Sequence, residues 1–415
     1  MFTRDPAGDA QALKELGPAD IVVGIPSFNE ADNIAHVVQQ CDRGLREHFG
    51  DHDAIIINVD NDSFDDTEAA FHAADAKIPR VYLSTPPGVR GKGNNFFNLL
   101  MAAQQLEARA VVAVDADLES ITPEWMPRLA RPVIEHDHDF VTPVYARNEY
   151  DGTITNHVCY PLIYGLLGMD VRQPIGGDFA LSGAFARSLL AAEWSDSTRQ
   201  YGIDVFMTLN ALTNGHSVAQ TTLGAKIHKP SAPKLGPMFT QVVTTLFSML
   251  VRHRELWLAP QVDRQVEVFD DMEEAEPQEL AVDYKSIKHS TLRDYQMQRP
   301  VIERALSAGT FALVEDRMNR RGRIRINAET WMRVLYDLLY AFDRSDGDAQ
   351  IVEATKPLFF ARFASFFRYT IDLEHAEAED SIRRQAEIFR EHNTYLLDKY
   401  RDADGSEPAS RARGT

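Results

Sequence analysis

Four short apolar runs, alternating with stretches of helical periodicity, limit what this chain can fold into more than any other feature. "IVVGIP" begins at Ile21, "AIIINVD" at Ala54, "RVYLST" at Arg80 and "ARAVVAVD" at Ala108. Between them lie "EADNIAHVVQQCDRGLREHF", "DTEAAFHAADA" and "NNFFNLLMAAQQL", whose apolar residues recur at three- and four-residue spacing. Strands separated by whole helices predict a mostly parallel sheet covered by helices, an α/β, Rossmann-like architecture, because a parallel crossover needs that much chain. Ligands in such folds sit at the carboxyl ends of strands. The polar signals of this sequence fall there.

The fourth run ends "AVVAVDADLES". Alternation sends Asp115 and Asp117 to one side, where like charges repel and a positive group is expected between or against them. A D-x-D at a strand end suits a divalent ion, Mg²⁺ or Mn²⁺, bridging a diphosphate, since both prefer hard oxygen ligands. "PPGVRGKGNN" places Gly88, Gly91 and Gly93 beside Arg90 and Lys92 just before a helix, a combination that suits a diphosphate although it is not a P-loop. In "PSFNE", Ser27 and Glu30 have capping-box spacing; the alternative is a turn against a nucleotide, with Glu30 near its base or ribose. Asp60 ends the second run, where a ribose or base would lie, and Ser63 with Asp66 is a second helix-start signature. Downstream, "GAKIHKP" offers His228 as the further ligand that a site using one carboxylate needs. "QPIGGDFA" offers the amides of Gly176 and Gly177 to an acceptor, and "YGID" puts Asp204 at a helix start.

The chain has 415 residues, 44% of them apolar, and its 62 acidic against 43 basic residues give a formal net charge of −19. That balance disfavours nucleic acid and anionic membranes as partners. Two cysteines, Cys41 and Cys159, imply no disulfide framework and a reducing setting. The start, "MFTRDPAGDAQALKELGPAD", lacks a signal peptide's apolar core, and "FTQVVTTLFSMLV" is short of the ~20 residues that span a bilayer; the expectation is a cytoplasmic protein. The expected organisation is an N-terminal extension over 1–19, the α/β domain over 20–260 and an acidic linker over 261–280. An α-helical C-terminal domain over 281–402, without chemistry of its own, and a disordered tail over 403–415 complete it. In "WMRVLYDLLYAF", Trp331, Val334, Leu335, Leu338, Leu339 and Phe342 fall on one helix face.

Taken in order, PSFNE, the Asp60 strand, RGKG, VDADLE, QPIGGDFA, YGID and GAKIHKP resemble the GT-A glycosyltransferases over residues 20 to 260. The resemblance is to the retaining mannosylglycerate and glucosyl-3-phosphoglycerate synthase families, which make compatible solutes or their precursors. It implies transfer of glucose or mannose from a UDP- or GDP-hexose to glycerate, 3-phosphoglycerate or a similar small hydroxy acid, with a divalent metal, in a homodimer. By this resemblance Pro26, Phe28, Glu30, Asp60, Lys92, Asp115 and Ala116 bind the nucleotide sugar, and Asp117 and His228 bind the metal. Arg147, Thr155, Gly176, Gly177 and Lys229 bind the acceptor, and Asp204 with Asp115 is catalytic. Both relatives favour arginine where this chain has Lys229. An inverting enzyme with Asp204 as base, a sugar-phosphate nucleotidyltransferase and a non-catalytic nucleotide-sugar binder remain open alternatives.

Overall fold

The computed structural model describes all residues except 230–234, 261, 270–274, 319–321 and 406–415. It divides into two compact units, and neither is one continuous stretch. The first comprises Met1–Thr155, Met169–Met249 and Arg264–Leu280; the second comprises Asn156–Gly168, Leu250–Asp263 and Ala281–Thr415.

Eight strands form the sheet of the first unit: β1 Ile21–Ser27, β2 Ala54–Asp60, β3 Arg80–Ser84, β4 Ala110–Ala113, β5 Phe140–Ala146, β6 Phe179–Ser182, β7 Val218–Ala225 and β8 Glu267–Phe269. Their order is β3-β2-β1-β4-β6-β5-β7-β8. Every pairing is parallel except those of β6, which runs against both β4 and β5. The first four strands fall on the four apolar runs of the sequence. β2 is buried along its whole length, as a strand with both faces covered must be, and the core includes Val23, Ile56, Val112 and Leu129. The stretch expected as a linker contributes β8, which pairs with β7.

Neither helix-start signature caps a helix. The first helix after β1 starts at Ile34 with Asn33 at its N-cap, and the next starts at Thr67 without a side-chain cap. Ser27 and Ser63 instead both donate to the Asp60 carboxylate. A buried carboxylate competes well for a hydroxyl, because each hydrogen bond it lacks costs more than a solvated cap.

The second unit is helical. Trp331, Val334, Leu335, Leu338, Leu339 and Phe342 are buried along helix Ala328–Arg344, as their spacing requires. Its unexpected member is helix Tyr160–Leu167, drawn from between β5 and β6. "YPLIYGLL" is apolar nearly all round and therefore needs cover on every side. It packs on helix His375–Glu391, where a Cβ on Gly165 would lie 2.7 Å from the Tyr336 hydroxyl. Of the tail expected from residue 403, helix Thr394–Gly405 takes the first three residues and 406–415 lie outside the described residues. Among the described residues no helix is long and apolar enough to cross a membrane.

Close backbone approach fixes one helix to the sheet. At Gly183, which opens helix Gly183–Ala191, a Cβ would sit 2.0 Å from the carbonyl oxygen of Ala108. Gly183→Ala is expected to destabilise the protein by about 2 kcal/mol, read from urea denaturation; an unchanged midpoint would refute the contact.

Candidate active site

Because β6 runs backwards, it delivers its first residues to the carboxyl ends of its parallel neighbours. Asp178 precedes β6, Asp115 follows β4, Lys226 follows β7 and Tyr145 lies in β5. These four converge. The Lys226 ammonium donates to Asp178 Oδ2 at 2.7 Å, to Asp115 Oδ2 at 2.9 Å and to the Gly176 carbonyl at 2.9 Å. Asp178 also accepts the Asp115 amide at 2.7 Å and the Tyr145 hydroxyl. Burial opposes the charge on Lys226, but the two carboxylates more than offset it and hold its pKa above the ordinary lysine value.

Lys92 opens helix Lys92–Gln105 and closes the other side of Asp115. Its ammonium lies 2.9 Å from Asp115 Oδ1 and 3.4 Å from Asp204 Oδ1. Each oxygen of Asp115 thus faces one lysine. Although burial disfavours its charge, Lys226 and Lys92 hold its carboxyl far below the usual carboxylate range. Asp204, in the first turn of helix Ile203–Thr213, is only 8% exposed. Burial and then the charge of Asp115 push its pKa up against the pull of Lys92, and its Oδ1 forms no hydrogen bond.

Asp117 differs from Asp115 in its partners. Among the described residues its carboxylate receives neither a hydrogen bond nor an ion pair, and burial together with Asp115 raises its pKa. Leu118 pairs antiparallel with His228, and Glu119 donates to the Ile227 carbonyl at 2.9 Å, so the histidine is brought beside the D-x-D segment. His228 Nδ1 lies 2.8 Å from the Lys229 carbonyl, which makes it the donor nitrogen and leaves Nε2 toward the site, 3.6 Å from Asp151 Oδ2. Among the described residues no three His, Cys, Asp or Glu side chains group as a metal site.

Other expected residues are present but engaged. Asp60, 1% exposed, accepts from Ser27, Ser84 and twice from Ser63, tying together the ends of the first three strands. Lys229 reaches toward β1, with its ammonium 2.7 Å from both Glu30 Oε2 and Asp32 Oδ1. Burial raises the Glu30 pKa, and Lys229 counteracts this only in part. The Ala116 carbonyl accepts from Asn33 at 2.9 Å. Gly176 turns its carbonyl to Lys226. Gly177 has a φ of +95°, and a Cβ there would lie 2.4 Å from Asp115 Oδ2. Arg147 is ion-paired to Asp151, Nε to Oδ2 3.0 Å. Thr155 is 2% exposed and ends Met1–Thr155, the longest stretch of the first unit. Pro26 and Phe28 lie at the end of β1, and the Arg90 guanidinium stacks 4.5 Å from the Phe28 ring centroid. Phe64, 76% exposed, meets Phe28 edge-on.

Sequence reasoning missed Lys226, Asp178 and Tyr145, along with Phe64. The first two stand inside quoted motifs, GAKIHKP and QPIGGDFA, and the only signal was an ionisable residue next to a strand end.

Removing Lys226 takes the ammonium from the buried Asp178 carboxylate and from one oxygen of the half-buried Asp115. Lys226→Met should destabilise the protein at neutral pH by about 3–5 kcal/mol. In the wild type, the folded pKa of Asp115 lies below its ordinary 3.8, so its stabilisation is full above that value and is lost as the pH falls through the folded pKa. In the variant the folded carboxyl pKa values rise, so acidification from neutral pH should stabilise it relative to wild type. Urea titrations that give both proteins the same pH slope would refute this.

Residues 22–191 match the family model described as glycosyl transferase family 2. No curated protein matches the chain by sequence. Similar solved structures include glucosyl-3-phosphoglycerate synthase from Mycobacterium tuberculosis with Mn²⁺, UDP and phosphoglyceric acid, 27% identical over 58% of this chain and 81% of that one, TM-score 0.46. The same enzyme with Mn²⁺, UDP-glucose and glycerol 3-phosphate is 27% identical over 58% and 83%, TM-score 0.45. A mycobacterial protein is 28% identical over 58% and 78%, TM-score 0.44. With the RGKG loop, the D-x-D motif and the two glycines on one mostly parallel sheet of GT-A arrangement, the similarity of residues 22–191 to the family 2 glycosyl transferases supports a glycosyltransferase.

Proposed function

We propose that the protein moves a hexose, glucose or mannose, from a UDP- or GDP-sugar to the hydroxyl of glycerate, 3-phosphoglycerate or a similar small hydroxy acid, with retention and with a divalent metal. The observation that carries this reading is the inequality of the two acids in the D-x-D motif. Lys92 and Lys226 neutralise Asp115, whereas among the described residues no ion pair reaches Asp117, which stands beside it with His228 alongside. One carboxylate and one imidazole fit Mg²⁺ or Mn²⁺ whose remaining ligands are diphosphate oxygens and waters. Bound there, the metal supplies positive charge to the diphosphate as it becomes a leaving group.

The chain's own groups do the rest. Lys92, at a helix N-terminus, is placed to hold a phosphate, and with the helix dipole it stabilises the charge that grows there as the glycosidic C–O bond breaks. Asp115, fixed by two lysines, orients the ribose or the sugar. Phe28 and Glu30 line the base side, where Arg90 and Phe64 extend the platform. At the acceptor end, the guanidinium fork of Arg147, ion-paired to Asp151 through Nε, suits an acid group by charge-assisted hydrogen bonds. The acceptor oxygen bonds to the anomeric carbon from the face the leaving group vacates, and its proton passes to the departing phosphate oxygen. Asp204 then positions the hydroxyl. The lack of a hydrogen bond to its Oδ1 and its raised pKa also suit a general base, which is the inverting reading.

Incubation with a panel of nucleotide sugars, glycerate, 3-phosphoglycerate and Mg²⁺ or Mn²⁺ should yield a glycoside with the donor's anomeric configuration by NMR. An inverted product transfers the role of base to Asp204, and pyrophosphate release from a nucleoside triphosphate replaces the reading with nucleotidyl transfer. Asp117→Asn and His228→Ala should each lower metal-dependent turnover about 100-fold or more; wild-type turnover removes that residue from the metal site. Arg147→Ala should raise the acceptor KM about tenfold while leaving the donor KM in place, and an unchanged acceptor KM would refute its role.

A further inference from the structure

The helical unit contains a cavity that the transfer reaction does not use. It is open, about 650 Å³ in volume, and lies between the segment Arg323–Asn327 and the helices Ala349–Thr370 and His375–Glu391. Five arginines line it against two carboxylates, Glu329 and Asp380, in a chain whose net charge is strongly negative.

Arg362 decides what the cavity is for. It is 7% exposed, and its guanidinium donates to two neutral acceptors, Gln385 Oε1 at 2.7 Å and the Ile326 carbonyl at 3.3 Å. Gln385 is held in that orientation because its Nε2 donates to the Asn156 carbonyl at 2.8 Å. Among the described residues no carboxylate pairs with Arg362, and burial alone lowers its pKa to about 10. A buried cation without a counter-ion is costly and is seldom kept without a partner. The other arginines are arranged around it. In "RIRIN", Ile324 and Ile326 are buried while Arg323 and Arg325 are exposed on the cavity side. Arg368 stacks over Tyr284, and Arg384 is already bound by Glu387 and Glu391. Among the described residues this leaves Arg323, Arg325 and Arg362 as forks without carboxylate partners.

We propose that this cavity binds a small soluble phosphomonoester, whose dianion supplies the counter-charge that Arg362 lacks and whose terminal oxygens take the Arg323 and Arg325 forks. A phosphate dianion presents three such oxygens, and planar guanidinium groups match them in pairs. The volume suits a metabolite. The site lies outside residues 22–191 and does not rest on the assignment of donor or acceptor.

Isothermal titration of the full chain with β-glycerophosphate tests the proposal. Saturable one-to-one binding below millimolar is expected, together with a rise in melting temperature. The double variant Arg323→Ala, Arg325→Ala should bind at least tenfold more weakly, while Lys92→Ala, altered in the transfer site, should bind as wild type does. Arg362→Met should melt no lower than wild type without the probe and gain nothing from it. Absence of saturable binding overturns the proposal, as do undiminished binding by the double variant and loss of binding in Lys92→Ala. Binding only to phosphatidic acid vesicles also overturns it, and so does an Arg362→Met protein that melts well below wild type.

Discussion

A single ammonium group makes the transfer site possible. Asp115, half-buried, and Asp178, fully buried, meet at the ends of adjacent strands, with the amide of one bound to the carboxylate of the other. Left alone, two such charges would drive apart the β4–β6 pairing, since their repulsion grows as the local dielectric falls. Lys226 turns that repulsion into attraction and takes the Gly176 carbonyl as well, fixing the two-glycine turn. The left-handed backbone at Gly177 follows from the same packing, because a side chain there would displace the Asp115 carboxylate.

The same sheet neutralises its acids in two ways. At the ends of β1 to β3, Asp60 is satisfied by hydroxyls and an amide, without any lysine. At the ends of β4 to β7 the acids are satisfied by ammonium groups. Hydroxyls hold the first three strands together without adding charge. Lys92 and Lys226 pair with Asp115, Asp178 and Asp204, while among the described residues no ion pair reaches Asp117.

Much of this was legible in the sequence, for reasons particular to each element. The four apolar runs mark β1 to β4 because a strand covered on both faces has no polar alternation to obscure it. Lys92, Asp115, Asp117, Asp204 and His228 stand out because short motifs place them beside strand or helix ends, and the structure gathers Lys92 with Asp115 and Asp204, and His228 with the D-x-D segment. Lys226 and Asp178 were hidden. Their importance comes from the reversal of β6, which no local pattern announces. Lys229, expected from the resemblance to bind the acceptor, has its ammonium beside Glu30 and Asp32, acids that lie far from it in sequence. Ser27 and Ser63 satisfied a capping pattern, yet a buried carboxylate outbid it. The cavity arginines lie in a region that reads as packing alone, and only the lack of a carboxylate opposite Arg362 distinguishes it.

Helix Tyr160–Leu167 has a consequence for synthesis on the ribosome. Its cover, helix His375–Glu391, follows it by some two hundred residues of chain. At roughly 5–20 residues per second the apolar "YPLIYGLL" waits on the order of tens of seconds for that partner. During that interval the first five strands are already complete, while the apolar segment still lacks the helix that covers it. A transiently uncovered apolar segment of this kind is prone to aggregate until its covering helix has been made.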